Sequence, residues 1–299
     1  MRYLYSIAGL RILCSIPFPI TIQREAVPFL SPAPDRGETE DLTFAFQSAA
    51  ALPPVPADAF FTQDRYYAST GYGLIVHHCP APGMAPYACV SWDNENRFVL
   101  CNYLPGSEER MHYSRSILDL LGAETLLTQF QGLLLHASFI QWSGKGILFS
   151  APSGTGKSTQ AELWKYYESA DILNGDRAAV RRDMRGWTAY GLPYAGSSGI
   201  YRNDAAPVSA IVVLSQAKEN RIRKLSVSEA IRFLYPEIVL HRWDTADVEQ
   251  ALNLLTVLAA EVPILLLECL PDRGAVQAVK EFLMKKDQEG GGCEWSQSL

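Results

Sequence analysis

The sequence predicts a mixed α/β fold of the α+β kind, and three observations predict it. From about Ser114 onward, strand-length apolar runs are interleaved with helically spaced leucines. Near the middle of the chain, the apolar run Ile147–Ser150 passes directly into a glycine-containing octet, Ala151–Ser158, and then into a helix-compatible segment, Thr159–Tyr167. The first third is rich in proline, aromatics and short apolar runs, which reads as a β-rich region. The expected organisation is therefore 1–115 as a β-rich N-terminal region, 116–287 as the strand–loop–helix core and 288–299 as a mobile tail carrying three consecutive glycines.

Composition narrows the partners. The 299 residues are 48% hydrophobic and 19% charged, ordinary for a globular chain with a substantial core. A net charge of −6 provides no basic field, which argues against nucleic acid and, more weakly, against anionic membrane surfaces. Six cysteines at 14, 79, 89, 101, 269 and 293 form no CxxC pair, a usage that suits reduced thiols and a cytoplasmic setting. Met1–Ile22 carries Arg2 and Arg11 and is broken by Pro17 and Pro19, unlike a secretory signal. Leu252–Leu270 is nearly all apolar, but Glu261 and Pro263 divide it into a helix end and a short strand, each too short to span a bilayer.

In order along the chain, Tyr3–Ile22 and Arg97–Tyr103 read as strands, with loops at Ser31–Glu40 and Leu52–Pro56. His77-His78-Cys79 has no further ligand at metal spacing and reads as a turn or surface cluster. Ile117, Leu118, Leu121, Leu126, Leu127 and Phe130 recur at helical spacing. Leu133–Trp142 and Ile147–Ser150 form a hairpin around a four-residue Ser-Gly-Lys-Gly link. Ile172–Val180 and Trp187–Leu192 form a second hairpin around Asp183–Gly186. Val208–Leu214 is a buried strand, and Ser226 with Glu229 forms a capping box. Asp247–Ala260 is a helix, Ile264–Cys269 a strand and Ala275–Met284 a closing helix.

The octet carries the chemistry. Ala151-Pro152-Ser153-Gly154-Thr155-Gly156-Lys157-Ser158 has the spacing of a phosphate-wrapping P-loop, with alanine at the usual first glycine. Gly154 and Gly156 free the backbone to turn its N–H groups onto phosphate oxygens, and the helix that follows adds the positive end of its dipole. Ser153 to Thr159 would line a nucleoside triphosphate; Lys157 would reach the β- and γ-phosphates, and the Ser158 hydroxyl would ligate Mg²⁺. Phosphoryl transfer also needs an acid. Asp176 stands at the end of an apolar run eighteen residues after Ser158, a distance that a helix, a turn and a strand can fold back beside the loop. It suits magnesium or the acceptor hydroxyl, or else merely closes a turn after Gly175. His136, among leucines in the strand before the loop, reads equally as a core residue or a site residue. Gly191–Gly199, with Arg202 and Asn203 behind it, is either a second phosphate or acceptor loop or an ordinary surface loop.

These residues resemble a known family. The hairpin feeding the P-loop, with Leu135-His136-Ala137 upstream and Asn174-Gly175-Asp176 downstream, resembles the HPr kinase/phosphorylase group, whose nucleotide core is shared with ATP-dependent phosphoenolpyruvate carboxykinase. The resemblance covers roughly residues 130–275 and implies mixed sheets with flanking helices and a serine kinase in which Lys157 and Ser158 hold MgATP. It matches Asp176 to an acid of the family's paired-aspartate motif and His136 to the histidine before the loop. One acid stands where bacterial HPr kinases carry two, and their Glu–apolar–Arg–Gly signature is not visible. The chain looks more like divergent relatives found with peptide-modification systems, including lasso-peptide tailoring kinases, which implies a precursor-peptide serine as acceptor. Two rivals share the motif: a small-molecule kinase on the same core, and a non-catalytic nucleotide-binding regulator. The sequence leaves the oligomeric state open, a homo-oligomer included.

Overall fold

The computed structural model describes residues 1–31, 39–71, 73–194 and 196–290. The loop expected at Ser31–Glu40 lies mostly outside the described residues, as does 291–299 of the expected tail. The chain is mixed α/β, with two large mixed sheets and flanking helices. It divides into two compact units, Met1–Gly132 with Leu240–Gln250, and Leu133–Val239 with Ala251–Leu299. The expected boundary near 115 thus differs from the observed division, because the helices after it group with the first unit.

The first unit holds nine strands among its described residues: β1 (Arg2–Ile7), β2 (Leu10–Ser15), β3 (Leu30–Ser31), β4 (Leu42–Ser48), β5 (Phe60–Thr62), β6 (Arg65–Thr70), β7 (Gly73–His78), β8 (Ala88–Asp93) and β9 (Phe98–Tyr103). They form one sheet in the order β3-β1-β2-β4-β9-β8-β7-β6-β5. The single run expected over Tyr3–Ile22 is broken by Ala8 and Gly9, whose φ of 52° and 72° make a two-residue hairpin turn of the type that matches strand twist. The helical run after Ser114 is likewise two helices, α1 (Ser114–Leu121) and α2 (Ala123–Gln129), divided at Gly122 with φ 73°. His77 and His78 are buried in β7 rather than at a surface, and burial pushes the His78 imidazole down to about 3.

The second unit continues with β10 (Gly132–Trp142), β11 (Lys145–Ser150), α3 (Lys157–Glu168), β12 (Asp171–Asn174), β13 (Arg177–Asp183), β14 (Gly186–Tyr190), β15 (Ala205–Gln216), β16 (Arg221–Lys224), α4 (Val227–Leu234), β17 (Ile238–Val239), α5 (Thr245–Glu261), β18 (Ile264–Cys269) and α6 (Arg273–Gly290). Its sheet runs β11-β10-β13-β14-β15-β18-β16, with β12 and β17 attached to β10 and with β11 also pairing β15 in parallel. The twelve-residue β15 makes this possible: its first residues pair with β14 and its later ones lie between β11 and β18. The hairpin before the loop is tighter than expected, since Trp142 pairs with Lys145 and only Ser143 and Gly144, both at positive φ, form the turn. The single strand expected over Ile172–Val180 is two strands, β12 and β13, interrupted at Gly175-Asp176. Helix α6 runs through the first residues of the expected tail to Gly290.

One face of this sheet buries Ile147, Phe149, Val212 and Leu265 against Trp164 of α3 and Val276, Val279 and Leu283 of α6. Trp164 is fully buried, edge-on to Trp142 at 5.3 Å, so α3 is fixed on the sheet directly behind the octet. The capping box at α4 is present: Ser226 Oγ accepts from the Glu229 N–H, and the Glu229 carboxylate accepts from the Ser226 N–H at 3.0 Å. Arg223, 2.9 Å from Glu229, and these Ser226 bonds hold its carboxyl down from the ordinary 4.5 to about 2. A lowered carboxylate stabilises the fold above its unfolded value and loses that contribution as protons bind. Protection of the Glu229 amide in hydrogen exchange is therefore expected to be complete above about pH 4.5 and to fall as the pH drops toward 2.

Candidate functional site

The octet lies where a strand hands over to a helix. β11 ends at Ser150, Ala151 is buried, and α3 begins at Lys157 with Gly156 as its N-cap at φ 118°. Gly154, at φ 80°, and Gly156 occupy backbone conformations that L side chains avoid, and a Cβ on either would meet no atom within 4 Å. The loop therefore presents open space and the unpaired N–H groups of a helix start on the same backbone turns. Ser153, Ser158 and Thr159 are exposed and Thr155 is half-buried. Lys157 is 8% exposed and folds back over the loop, its Nζ donating to the carbonyls of Ala151 at 2.7 Å and Pro152 at 3.4 Å. Burial pushes the Lys157 ammonium below its ordinary value, opposed by the carboxylates of Glu237 and Asp176.

Asp176 reaches the same neighbourhood through β10. The Ala137 N–H donates to the Asp176 carbonyl at 3.0 Å and Ser138 Oγ donates to the Gly175 carbonyl at 3.0 Å. The Ser150 hydroxyl donates to the His136 carbonyl at 3.1 Å, tying the same strand to the root of the octet. His136 then stands between two carboxylates: Nδ1 is 3.0 Å from Glu237 Oε2, and Nε2 is 3.6 Å from Asp176 Oδ1. Arg177 Nε lies 3.6 Å from Asp176 Oδ2. Lys157, Asp176 and His136, expected separately, are thus brought together.

Glu237 joins them without having been singled out in the sequence. It ends a single 3₁₀ turn, Tyr235–Glu237, after α4, and the pairing of Leu135 with Ile238 sets it beside His136. The sequence signal nearest to it was the capping box that starts α4. Replacing Glu237 with Gln removes the charge that holds Nδ1–H. A carboxylate can only accept from Nδ1, whereas an amide can also donate to it, so the substitution should move the His136 tautomer balance away from Nδ1–H, read by nitrogen-15 NMR. Any turnover that depends on the ring should slow by roughly tenfold, the worth of one charge-assisted hydrogen bond.

The interruption between β12 and β13 is built by Asn174. Its fully buried amide uses both ends: Oδ1 accepts from the N–H groups of Asp176 at 2.9 Å and Arg177 at 3.0 Å. Its Nδ2 donates to the carbonyls of Leu192 at 3.1 Å and Tyr194 at 2.9 Å. One side chain thereby fixes both the acid and the start of the Gly191–Gly199 stretch. That stretch lies against the acid, for a Cβ on Gly196 would fall 2.5 Å from the Asp176 Cβ. Arg202 is committed to Asp171 at 2.8 Å, so it is not a free anion ligand.

Gly175, next to the acid, is packed against the turn that follows β14. A Cβ on Gly175 would sit 2.2 Å from Ser198 Oγ and 2.5 Å from Ser198 Cβ, so a side chain there collides with that of Ser198. Gly175→Ala is expected to cost about 1–3 kcal/mol in urea unfolding, and adding Ser198→Gly should recover most of it.

No curated protein matches the chain. Among solved structures it is similar to the Hpr(Ser) kinase/phosphatase from Coxiella burnetii, at 12% identity and a TM-score of 0.34 over 55% of this chain and 99% of that one. Residues 99–269, more than half of the 299, match the profile of the SynChlorMet cassette protein ScmC, and the chain belongs to that family.

Proposed function

We propose that this chain is an ATP- and magnesium-dependent phosphotransferase that phosphorylates a hydroxyl, with a serine of a peptide or small protein as acceptor. The observation that carries this reading is the assembly beside one glycine loop of a buried lysine, Lys157, and a carboxylate, Asp176, that lies within 3.6 Å of His136. A module that only binds nucleotide has no use for the second half of that arrangement.

The residues suit the groups they would hold. Gly154 and Gly156 leave open space over backbone N–H groups, and Ser158 presents an exposed hydroxyl in the first turn of α3. Among the described residues no three His, Cys, Asp or Glu side chains are arranged as a metal cage. A magnesium ion held through one or two side chains and phosphate oxygens requires none. Bound there, it would neutralise charge on the transferring phosphoryl group.

The chain's own residues would supply position and charge. The loop N–H groups and Lys157 hold the β- and γ-phosphates, with Lys157 exchanging its bonds to the Ala151 and Pro152 carbonyls for phosphate oxygens. Asp176 accepts the proton of the acceptor hydroxyl as its oxygen bonds to the γ-phosphorus and the bond to the β-phosphate oxygen breaks. His136, held at Nδ1 by Glu237, places its Nε2 3.6 Å from the Asp176 carboxylate. The peptide acceptor rests on the resemblance to peptide-modifying relatives of HPr kinase. The free thiols Cys14, Cys79, Cys89, Cys101 and Cys269 suit a reducing compartment.

The test is transfer of label from γ-labelled ATP with Mg²⁺ to components of a host extract. A discrete labelled acceptor, its site a serine by mass spectrometry, supports the reading. Bound ATP with no labelled acceptor at any extract concentration would reduce the chain to a nucleotide-binding module.

A further inference from the structure

Next to the glycine loop, between the start of α3 and the ends of β15 and β18, lies a cleft of about 400 Å³. Its size falls within the range of small-molecule sites, roughly 300–1,000 Å³. Gly154–Gly156 forms one wall, so the cleft opens directly off the proposed phosphate site. Leu214, Leu270 and Pro271 supply apolar surface, while Thr159, Gln160 and Gln216 supply polar groups. Apolar surface interspersed with hydrogen-bonding groups suits a ring that carries polar edges.

Gln160 is the informative side chain. It is 2% exposed, and among the described residues its Nε2 donates to the Cys269 sulfur, a weak acceptor, at 3.5 Å. Its Oε1 has no hydrogen-bond partner. Buried side-chain carbonyls are rarely left unmatched, and this one belongs to the wall of a cleft that adjoins a phosphate loop. Gln216 has a different task, donating to the Thr155 carbonyl at 3.4 Å and so bracing the loop itself. The group that would satisfy Gln160 Oε1 is a donor on the ring that fills the cleft.

We propose that this cleft is the nucleobase subsite and that Gln160 selects a purine carrying an amine at carbon 6, adenine over hypoxanthine. The inference rests on the nucleotide-binding reading above and deepens it by assigning the base. Adenine presents an N–H donor where hypoxanthine presents a carbonyl oxygen, so the second would face Oε1 lone pair to lone pair.

The test is calorimetric titration of the full chain, with Mg²⁺, by ATP, inosine triphosphate and inorganic tripolyphosphate. ATP is expected to bind about tenfold tighter than inosine triphosphate, and tighter than tripolyphosphate. Gln160→Leu should erase the difference between the two nucleotides and leave tripolyphosphate unchanged. Ala217→Trp, at a partly exposed position lining the cleft, should lower ATP affinity to that of tripolyphosphate. A second measurement needs no variant: Cys269 lines the cleft, and adenosine alone should slow its alkylation by iodoacetamide in the native protein. Burial raises this thiol, so labelling is run at alkaline pH. If ATP, inosine triphosphate and tripolyphosphate bind equally and adenosine leaves Cys269 labelling unchanged, the base subsite is wrong while the phosphate loop stands. If none of the three binds, the nucleotide reading itself fails and takes the subsite with it.

Discussion

Asp176→Asn is expected to slow phosphoryl transfer by about 10²–10⁴-fold, the usual worth of a general base, with ATP affinity nearly unchanged. The amide keeps the shape and still accepts a hydrogen bond, but it cannot take the proton of the acceptor hydroxyl. The fold should tolerate the change. Asp176 is about a third exposed, and its contacts with His136 and Arg177 are both 3.6 Å, longer than hydrogen bonds. Partly exposed ion pairs of this kind contribute at most about 1 kcal/mol. The backbone bonds that position it, from Ala137 and to Asn174, do not involve its carboxylate. Single-turnover transfer and calorimetric ATP binding on the same preparation check this. Unchanged turnover with intact binding would remove Asp176 from the chemistry.

Lys157→Met should cut kcat by about 10²–10³-fold, as loss of one preorganised donor does elsewhere, and weaken ATP binding as well. Its effect on the unliganded fold should be small, for two opposing reasons. The ammonium is buried, and that burial is the largest influence on it, so an apolar replacement removes a desolvation cost. The same replacement strips the buried Ala151 carbonyl of its donor at 2.7 Å. Each term is roughly 1–3 kcal/mol, and they offset to within about 2 kcal/mol. Urea unfolding beside nucleotide titration separates the two effects. A protein that unfolds readily without Lys157 would make the lysine a structural strut rather than a phosphate ligand.

Local sequence carried the parts of this architecture that depend on neighbours in the chain. The octet with its two positive-φ glycines, the helix behind it and the hairpin in front are set by residues within a few positions of one another. The capping box at Ser226 and the division of Leu252–Leu270 at Pro263 were legible for the same reason. Elements whose definition depends on distant partners were not. Most strands of the first sheet lack a local signal: β2, β4 and β9 pair in parallel across long separations that no local period records. Ala8-Gly9 and Gly122 do not stand out as breaks in the sequence, because each sits inside an otherwise continuous apolar pattern.

For the site the division is sharper. Sequence by itself determined the turns of the glycine octet, since they need only backbone conformation and residues in series. It proposed Asp176 and His136 but gave neither a partner. Only the tertiary structure decided that they meet: β12 and β17 both attach to β10, setting Asp176 and Glu237 on either side of one imidazole. Glu237 had no motif of its own because its position comes from the Leu135–Ile238 register, which brings together residues about a hundred positions apart. Gly175 carries no local signal of its own, and only the packing of the Ser198 side chain on it shows why a Cβ does not fit there. A covalent neighbourhood can be read from the chain; a sheet register and a steric exclusion exist only once distant strands have paired.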